Sequence, residues 1–206
     1  MSTDAMQAAP VPLRQESRGP RAHTHARAEV LRMLKDDHRT VKIAFRGFER
    51  LDIQAEAEIC ESIVRQTCRE LEVHTRLEEE LFYPVIREAL AHAELIDDAE
   101  VEHQTMRMLL DQVRKLRPGD ARQAASFRVL GEYVRHHIKE EEGEMFRQIA
   151  HARLDWVRLH EDMVMRRHQL LAEVDEPLHL TTLEPGKAIG VRPRFEAPAV
   201  PVGRHP

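Results

Sequence analysis

The sequence predicts an all-α protein: an up-down-up-down four-helix bundle with an additional C-terminal helix and flexible tails. Three observations predict it. Charged residues make up 33% of the chain and aromatics only 4%, a balance that suits solvated helical faces better than a sandwich or barrel. The apolar residues step by three and four, the spacing of a helix stripe turned toward a core. Short breaks divide these stripes into four long segments, and short connections make neighbouring helices antiparallel.

The elements follow in order. Met1 to Ala22 is rich in Pro, Ala, Arg and Gln without a periodic stripe, so residues 1–22 are expected as a flexible N-terminal tail. The bundle occupies 23–175. Helix 1 reads Leu31, Leu34, His38, Val41, Phe45, Phe48, and helix 2 reads Ile59, Ile63, Glu70, His74, Leu77, Leu81. Pro84 should bend or end helix 2. Asp97 with Glu100 resembles a capping box opening helix 3, which reads His103, Met106, Leu110, Val113. Pro118-Gly119-Asp120 closes it and supplies a cap for helix 4, with Phe127, Leu130, Val134, His137, Glu141 and Met145. A fifth helix over about 153–173, carrying Leu154, Val157, Val164 and Leu171, should pack outside the bundle. Six prolines between Pro177 and Pro206 exclude a continuous helix and mark 176–206 as a Pro-rich tail.

A net charge of −5 leaves no basic footprint for nucleic acid. No run approaches the roughly 20 apolar residues that span a bilayer, and the N-terminus lacks a signal-peptide core. Cys60 and Cys68 would lie about 12 Å apart along one helix, too far for a mutual disulfide. A cytoplasmic protein with two reduced, packed cysteines is expected.

The chemistry concentrates on four stripe histidines, one per core helix: His38, His74, His103 and His137. Two carry a glutamate one turn later, His74/Glu78 and His137/Glu141, so each pair points to the same side of its helix. Four imidazoles and two carboxylates buried without a counter-charge would cost several kcal/mol. A pair of cations supplies that charge, and nitrogen and oxygen ligands inside a bundle suit transition metals. A ferritin-like carboxylate site needs two Glu-x-x-His pairs; Glu100/His103 matches one and no second falls on a suitable helix. A structural bundle holding zinc or manganese, or no metal, is the plainer alternative. Tyr133 and Glu70, each one turn before a stripe histidine, are candidates to hydrogen-bond the site. Met106 and Met145 read as core filler, and Glu79, Glu80, Glu140 and Glu142 as solvated faces. His136, His151, His160 and His168 read as surface or packing residues, and His23 and His25 as lying in a flexible region.

The stretches Asp36-Asp37-His38-Arg39, His74 to Pro84 (HTRLEEELFYP), Glu102-His103 and His136 to Phe146 (HHIKEEEGEMF) resemble the hemerythrin-like (HHE cation-binding) domain over about residues 28–172. The resemblance implies a non-haem centre of two iron ions with an oxo or hydroxo bridge. His38 and His74 would bind one iron, His103 and His137 the other, and Glu78 and Glu141 would bridge them. Oxygen-carrying members have a second histidine four after the one on helix 3, where this chain has Arg107. Their last pair is His and Asp five apart, where here His137 and Glu141 are four apart. That departure implies an additional labile position. The expected function is binding or sensing of oxygen, nitric oxide or iron through these four histidines and two glutamates, with small diatomic ligands or peroxide as partners. An enzyme decomposing peroxide and an iron donor for repair of iron–sulfur centres are the alternatives.

Overall fold

The computed structural model describes residues 19–175; the tails read over 1–18 and 176–206 lie outside the described residues. Five long helices account for the fold. α1 (Pro20–Phe48) opens on a proline, whose missing N–H costs nothing in a first turn. It takes in Pro20–Ala22, read from sequence as tail, and carries His23 and His25. α2 (Ala57–Leu77) follows a turn in which Asp52 Oδ1 accepts from the Gln54 and Ala55 amides. α3 is Glu94–Lys115 and α4 is Ala121–Glu140. α5 is Trp156–Asp175. Gly119 takes φ 79° in the α3–α4 turn, and Asp120 caps α4 by accepting from the Arg122 amide at 2.7 Å.

The capping box expected at Asp97 and Glu100 does not form. α3 begins four residues earlier, with Ala93 at the cap and Glu94 first in the helix, and both carboxylates hold Arg87, at 2.6 and 3.1 Å. Helix 2 also differs from its predicted face. Ile59 is exposed, and Cys60, Val64, Cys68 and Leu71 take the core positions, one residue further along. Both cysteines are free and buried. In α5 the buried residues are Trp156, Leu159, Met163 and Leu170, again one residue from the expected stripe.

Two apolar clusters form the core. One contains Val30 and Leu34 of α1, Leu77 of α2, Ile96 and Ala99 of α3, and Met145 and Phe146 beyond α4. The other contains Val41 and Phe45, Val64 and Leu71, Met106 and Leu110, and Phe127 and Val134. Along the chain α1 and α3 run from the first cluster to the second, and α2 and α4 run back, which is the up-down-up-down order. The four stripe histidines sit where each helix crosses between clusters, so they form a polar layer sealed by apolar packing above and below. α5 lies outside the four and contributes to the first cluster. Gly131 of α4 lets Phe45 approach closely: a Cβ there would stand 2.9 Å from the ring. No described helix is long and apolar enough to cross a membrane.

Candidate metal centre

Beyond α2 and α4 the helix widens into a π turn, Glu78–Phe82 and Glu141–Met145. Each starts at the glutamate of a His-x-x-x-Glu pair, and π turns are frequent at functional sites. The wider turn bonds Tyr83 N–H to Glu78 O and Phe146 N–H to Glu141 O. Residues five apart therefore share a face. Tyr83 comes to lie inward with its hydroxyl 3.4 Å from Glu78 Oε2, and Phe146 stacks near His38 with 6.2 Å between ring centroids. Pro84 does not end the helix. The π turn relaxes the clash between a proline ring and the preceding turn, and the chain stays helical through Tyr83–Arg87.

All six predicted residues, His38, His74, Glu78, His103, His137 and Glu141, are brought together, none more than 4% exposed. They fall into two overlapping groups. His38, His74, Glu78 and Glu141 converge at one end, and Glu78, His103 and His137 at the other. His38 Nε2 lies 3.1 Å from His74 Nε2, and His103 Nε2 lies 3.2 Å from His137 Nε2. His74 Nε2 is 3.2 Å from Glu78 Oε2, and His38 Nε2 is 3.1 Å from Glu141 Oε2.

Each histidine is oriented by a carboxylate on its other nitrogen. His38 Nδ1 meets Glu142 at 2.9 Å, His74 meets Asp37 at 3.4 Å, His103 meets Glu79 at 2.9 Å and His137 meets Glu102 at 2.8 Å. An ionised carboxylate only accepts, so each Nδ1 carries a proton, and an imidazole deprotonated to bind a cation turns its Nε2 lone pair inward. The two close Nε2 pairs then repel unless a cation stands between them. Glu78 Oε1 and both Glu141 oxygens are buried without a hydrogen-bond partner. Four inward lone pairs and three orphaned oxygens fit transition-metal cations by the chemistry of the donor set.

Electrostatics agree. Burial pushes the Glu78 carboxyl well above the usual range, helped by the charge of Glu141. Burial also opposes ionisation of Glu141, but His38, His137 and His74 outweigh it and hold that carboxyl low. Two facing carboxylates divide in this way because ionising one disfavours ionising the other. Burial lowers His103 to about 4 against its Glu79 partner, and lowers His74. Burial likewise opposes protonation of His38, but Glu141 and Glu142 raise it on balance. Burial and the nearby Glu78 charge hold the Tyr83 phenol protonated.

Several expectations are corrected. Tyr133 is 45% exposed: Val134, one position on, faces the core, and the buried hydroxyl at the site is that of Tyr83. Glu70 makes its contact with Arg69 at 3.9 Å, and Asp37 takes the position beside His74. Glu79 and Glu142 are hydrogen-bond partners of His103 and His38 rather than a free solvated face. Glu80 pairs with Arg76 and with Arg166 of α5. Met106 and Met145 are core residues as expected. Asp37, Glu102, Tyr83 and Arg167 had no assigned role from sequence. The signal that points to the orienting acids is a doubled pattern: an acid before the histidine on α1 and α3, and a second glutamate after the pair on α2 and α4.

Comparison with known proteins agrees with this architecture. Residues 29–149 match the family described as Hemerythrin HHE cation binding domain. A crystal structure of a hemerythrin HHE cation binding domain-containing protein from Mycobacterium kansasii superposes with a TM-score of 0.57 at 22% identity, covering 68% of this chain and 85% of that one. At that identity the likeness supports the fold alone. The chain matches none of the curated proteins it was compared with. With well over half of its length matched to the family, and with the inward histidines and glutamates in place, the chain belongs to the hemerythrin HHE cation-binding domain family.

Proposed function

We propose that the protein holds two iron ions in this centre and uses them to bind or sense a small ligand, oxygen or nitric oxide. His38 and His74 would serve one ion, His103 and His137 the other, with Glu78 and Glu141 between them. One observation carries the reading: paired Nε2 lone pairs 3.1 and 3.2 Å apart beside buried, unpartnered carboxylate oxygens. Glu78 belongs to both groups, which supports a shared carboxylate. Bound iron supplies reversible one-electron chemistry and an acceptor for small ligands.

The chain's own residues do the rest. The four outer carboxylates keep the imidazoles in one tautomer and one orientation. The apolar clusters exclude bulk water from the layer between them. A cavity of about 10 Å³ opens beside His38, His74 and His137, walled by Val41, Leu71, Met106 and Val134. That is room for about one water-sized molecule, which favours diatomic ligands over organic substrates. The buried cysteine thiols accord with a reducing, cytoplasmic setting.

Anaerobic purification with elemental analysis, then titration of the reduced protein with oxygen and nitric oxide under optical readout, tests the reading. About two irons per chain with ligand-dependent spectra are expected; an iron-loaded protein inert to both gases excludes sensing. A second reading, turnover of peroxide, is favoured by Tyr83, whose protonated hydroxyl lies 3.4 Å from Glu78 and 3.5 Å from His103 Nε2. It is a proton donor already in the buried layer.

A further inference from the structure

Three of the four orienting carboxylates are neutralised by a permanent cation. Asp37 is held by Arg167, Glu79 by Arg107, and Glu142 by Lys42 at 3.3 Å. Glu102 differs: among the described residues no lysine or arginine reaches it. Its Oε2 serves His137, and its Oε1 faces His136 Nε2 at 3.6 Å. The same His136 nitrogen lies 3.3 Å from Glu140 Oε1. His136 and Glu140 are 60% and 51% exposed. One imidazole nitrogen and two carboxylates thus meet at the surface within reach of one ion.

Glu102 and Glu140, though not His136, also line a cavity of about 10 Å³ together with Ala99, Met145, His137 and Glu141. Glu141 is 2% exposed and its oxygens have no hydrogen-bond partner. The crevice therefore joins the exposed acids to an unsatisfied buried carboxylate. At the other three corners a fixed positive charge already pairs with the orienting carboxylate, and a like charge there repels an incoming cation.

We propose that Glu102, His136 and Glu140 form a docking site for a divalent transition-metal ion, from which the ion passes along this crevice to Glu141 and His137. The ligand set of one nitrogen and two or more carboxylate oxygens suits such ions, held more weakly than in the buried centre because the group is largely hydrated. The proposal rests on the buried residues being a metal centre. It concerns how that centre is filled.

Cobalt(II) is the probe, mixed rapidly with metal-free full-length protein and followed by its visible absorption. The variants are the pair His136→Ala with Glu140→Gln, and separately Glu140→Lys, which restores a fixed cation like those at the other corners. Both are expected to slow loading about tenfold or more while reaching the wild-type cobalt content in the buried centre. Wild type already loaded is expected to take up one further, weaker ion that the double variant does not. Loading at the wild-type rate, or retention of the extra ion in the double variant, overturns the proposal. A wild type that takes no cobalt into its buried centre overturns the metal-centre reading and this one with it. A normal wild type beside unaffected variants overturns this one alone.

Discussion

Arg167, on the helix outside the bundle, grips Asp37 with two charge-assisted hydrogen bonds of 2.7 and 2.5 Å, while Asp37 Oδ2 faces His74 Nδ1 at 3.4 Å. α5 therefore does more than cover apolar surface. Its guanidinium holds the carboxylate that holds an imidazole of the centre, and a planar fork suits that task where a lysine does not. Burial opposes the Asp37 charge, yet the hydrogen bonds from His74 and Arg167 keep its pKa below the usual carboxylate range.

Arg167→Ala leaves a buried carboxylate uncompensated. It is expected to destabilise the fold by about 3 kcal/mol and to weaken metal binding about 10- to 100-fold through loss of His74 orientation. Arg167→Lys should recover most of the stability and little of the affinity. Urea denaturation and a competitive chelator titration read the two effects separately.

Glu78→Gln replaces a carboxyl that burial already pushes toward its protonated form. The metal-free variant is expected to be at least as stable as the metal-free wild type, because a neutral amide avoids the cost of a buried charge. Its metal content should fall to one ion per chain or fewer, since Glu78 belongs to both ligand groups. Calorimetry beside elemental analysis checks the pair of outcomes; two firmly bound ions in the variant would show that Glu78 is not shared.

Tyr83→Phe removes one hydroxyl from the buried layer and keeps the ring packed between Phe82 and His103. Stability should change by about 1 kcal/mol and the metal content should not change. If the protein turns over peroxide, the rate should fall about 100-fold, the size of a lost proton donor. Stopped-flow kinetics on both proteins gives the ratio.

Burial pushes the Cys68 thiol up from 9.0 to about 11. A raised thiol pKa contributes stability that is complete below the unfolded value and lost as pH climbs through the folded one. Between about pH 9 and 11 the unfolded chain sheds this proton while the folded chain keeps it, so stability should fall by about 3 kcal/mol over that window. Cys68→Ala should flatten this portion of the curve, measured as urea midpoints against pH.

Gly131→Ala should destabilise the bundle by about 1–3 kcal/mol, because the added methyl meets the Phe45 ring at 2.9 Å. That ring is hemmed in by Phe127, with 4.8 Å between centroids. The gain in helix propensity of about 1 kcal/mol does not offset the clash. Phe45→Leu in the Gly131→Ala background should restore part of the loss in thermal unfolding.

The sequence alone was enough for the helices, their alternating direction and the six inward residues. A three-four stripe identifies a buried face, and a histidine on each of four such faces leaves one place for them to meet. The stripes of α3 and α4, and that of α1 from Leu34 onward, hold in the structure because each contains several large apolar residues that define the face, whereas at the start of α1 Val30 is buried in place of Leu31. Where the stripe was mixed, as with Ile59 beside Cys60 or Val157 beside Trp156, the face turned by one residue, since burial goes to whichever side chain the neighbouring helix accommodates.

The orienting carboxylates were decided by tertiary structure. Asp37 reaches His74 and Glu102 reaches His137 across helix boundaries, and periodicity within one helix carries no register between two. Tyr83 faces inward because a π turn shifts the helix by one residue after Glu78, a change to which a 3.6-residue period is blind. Arg167 lies 130 residues from Asp37 along the chain. Only the packing of α5 against α1 and α2 brings the two charges together, because their attraction depends on a distance in space that no spacing along the chain encodes.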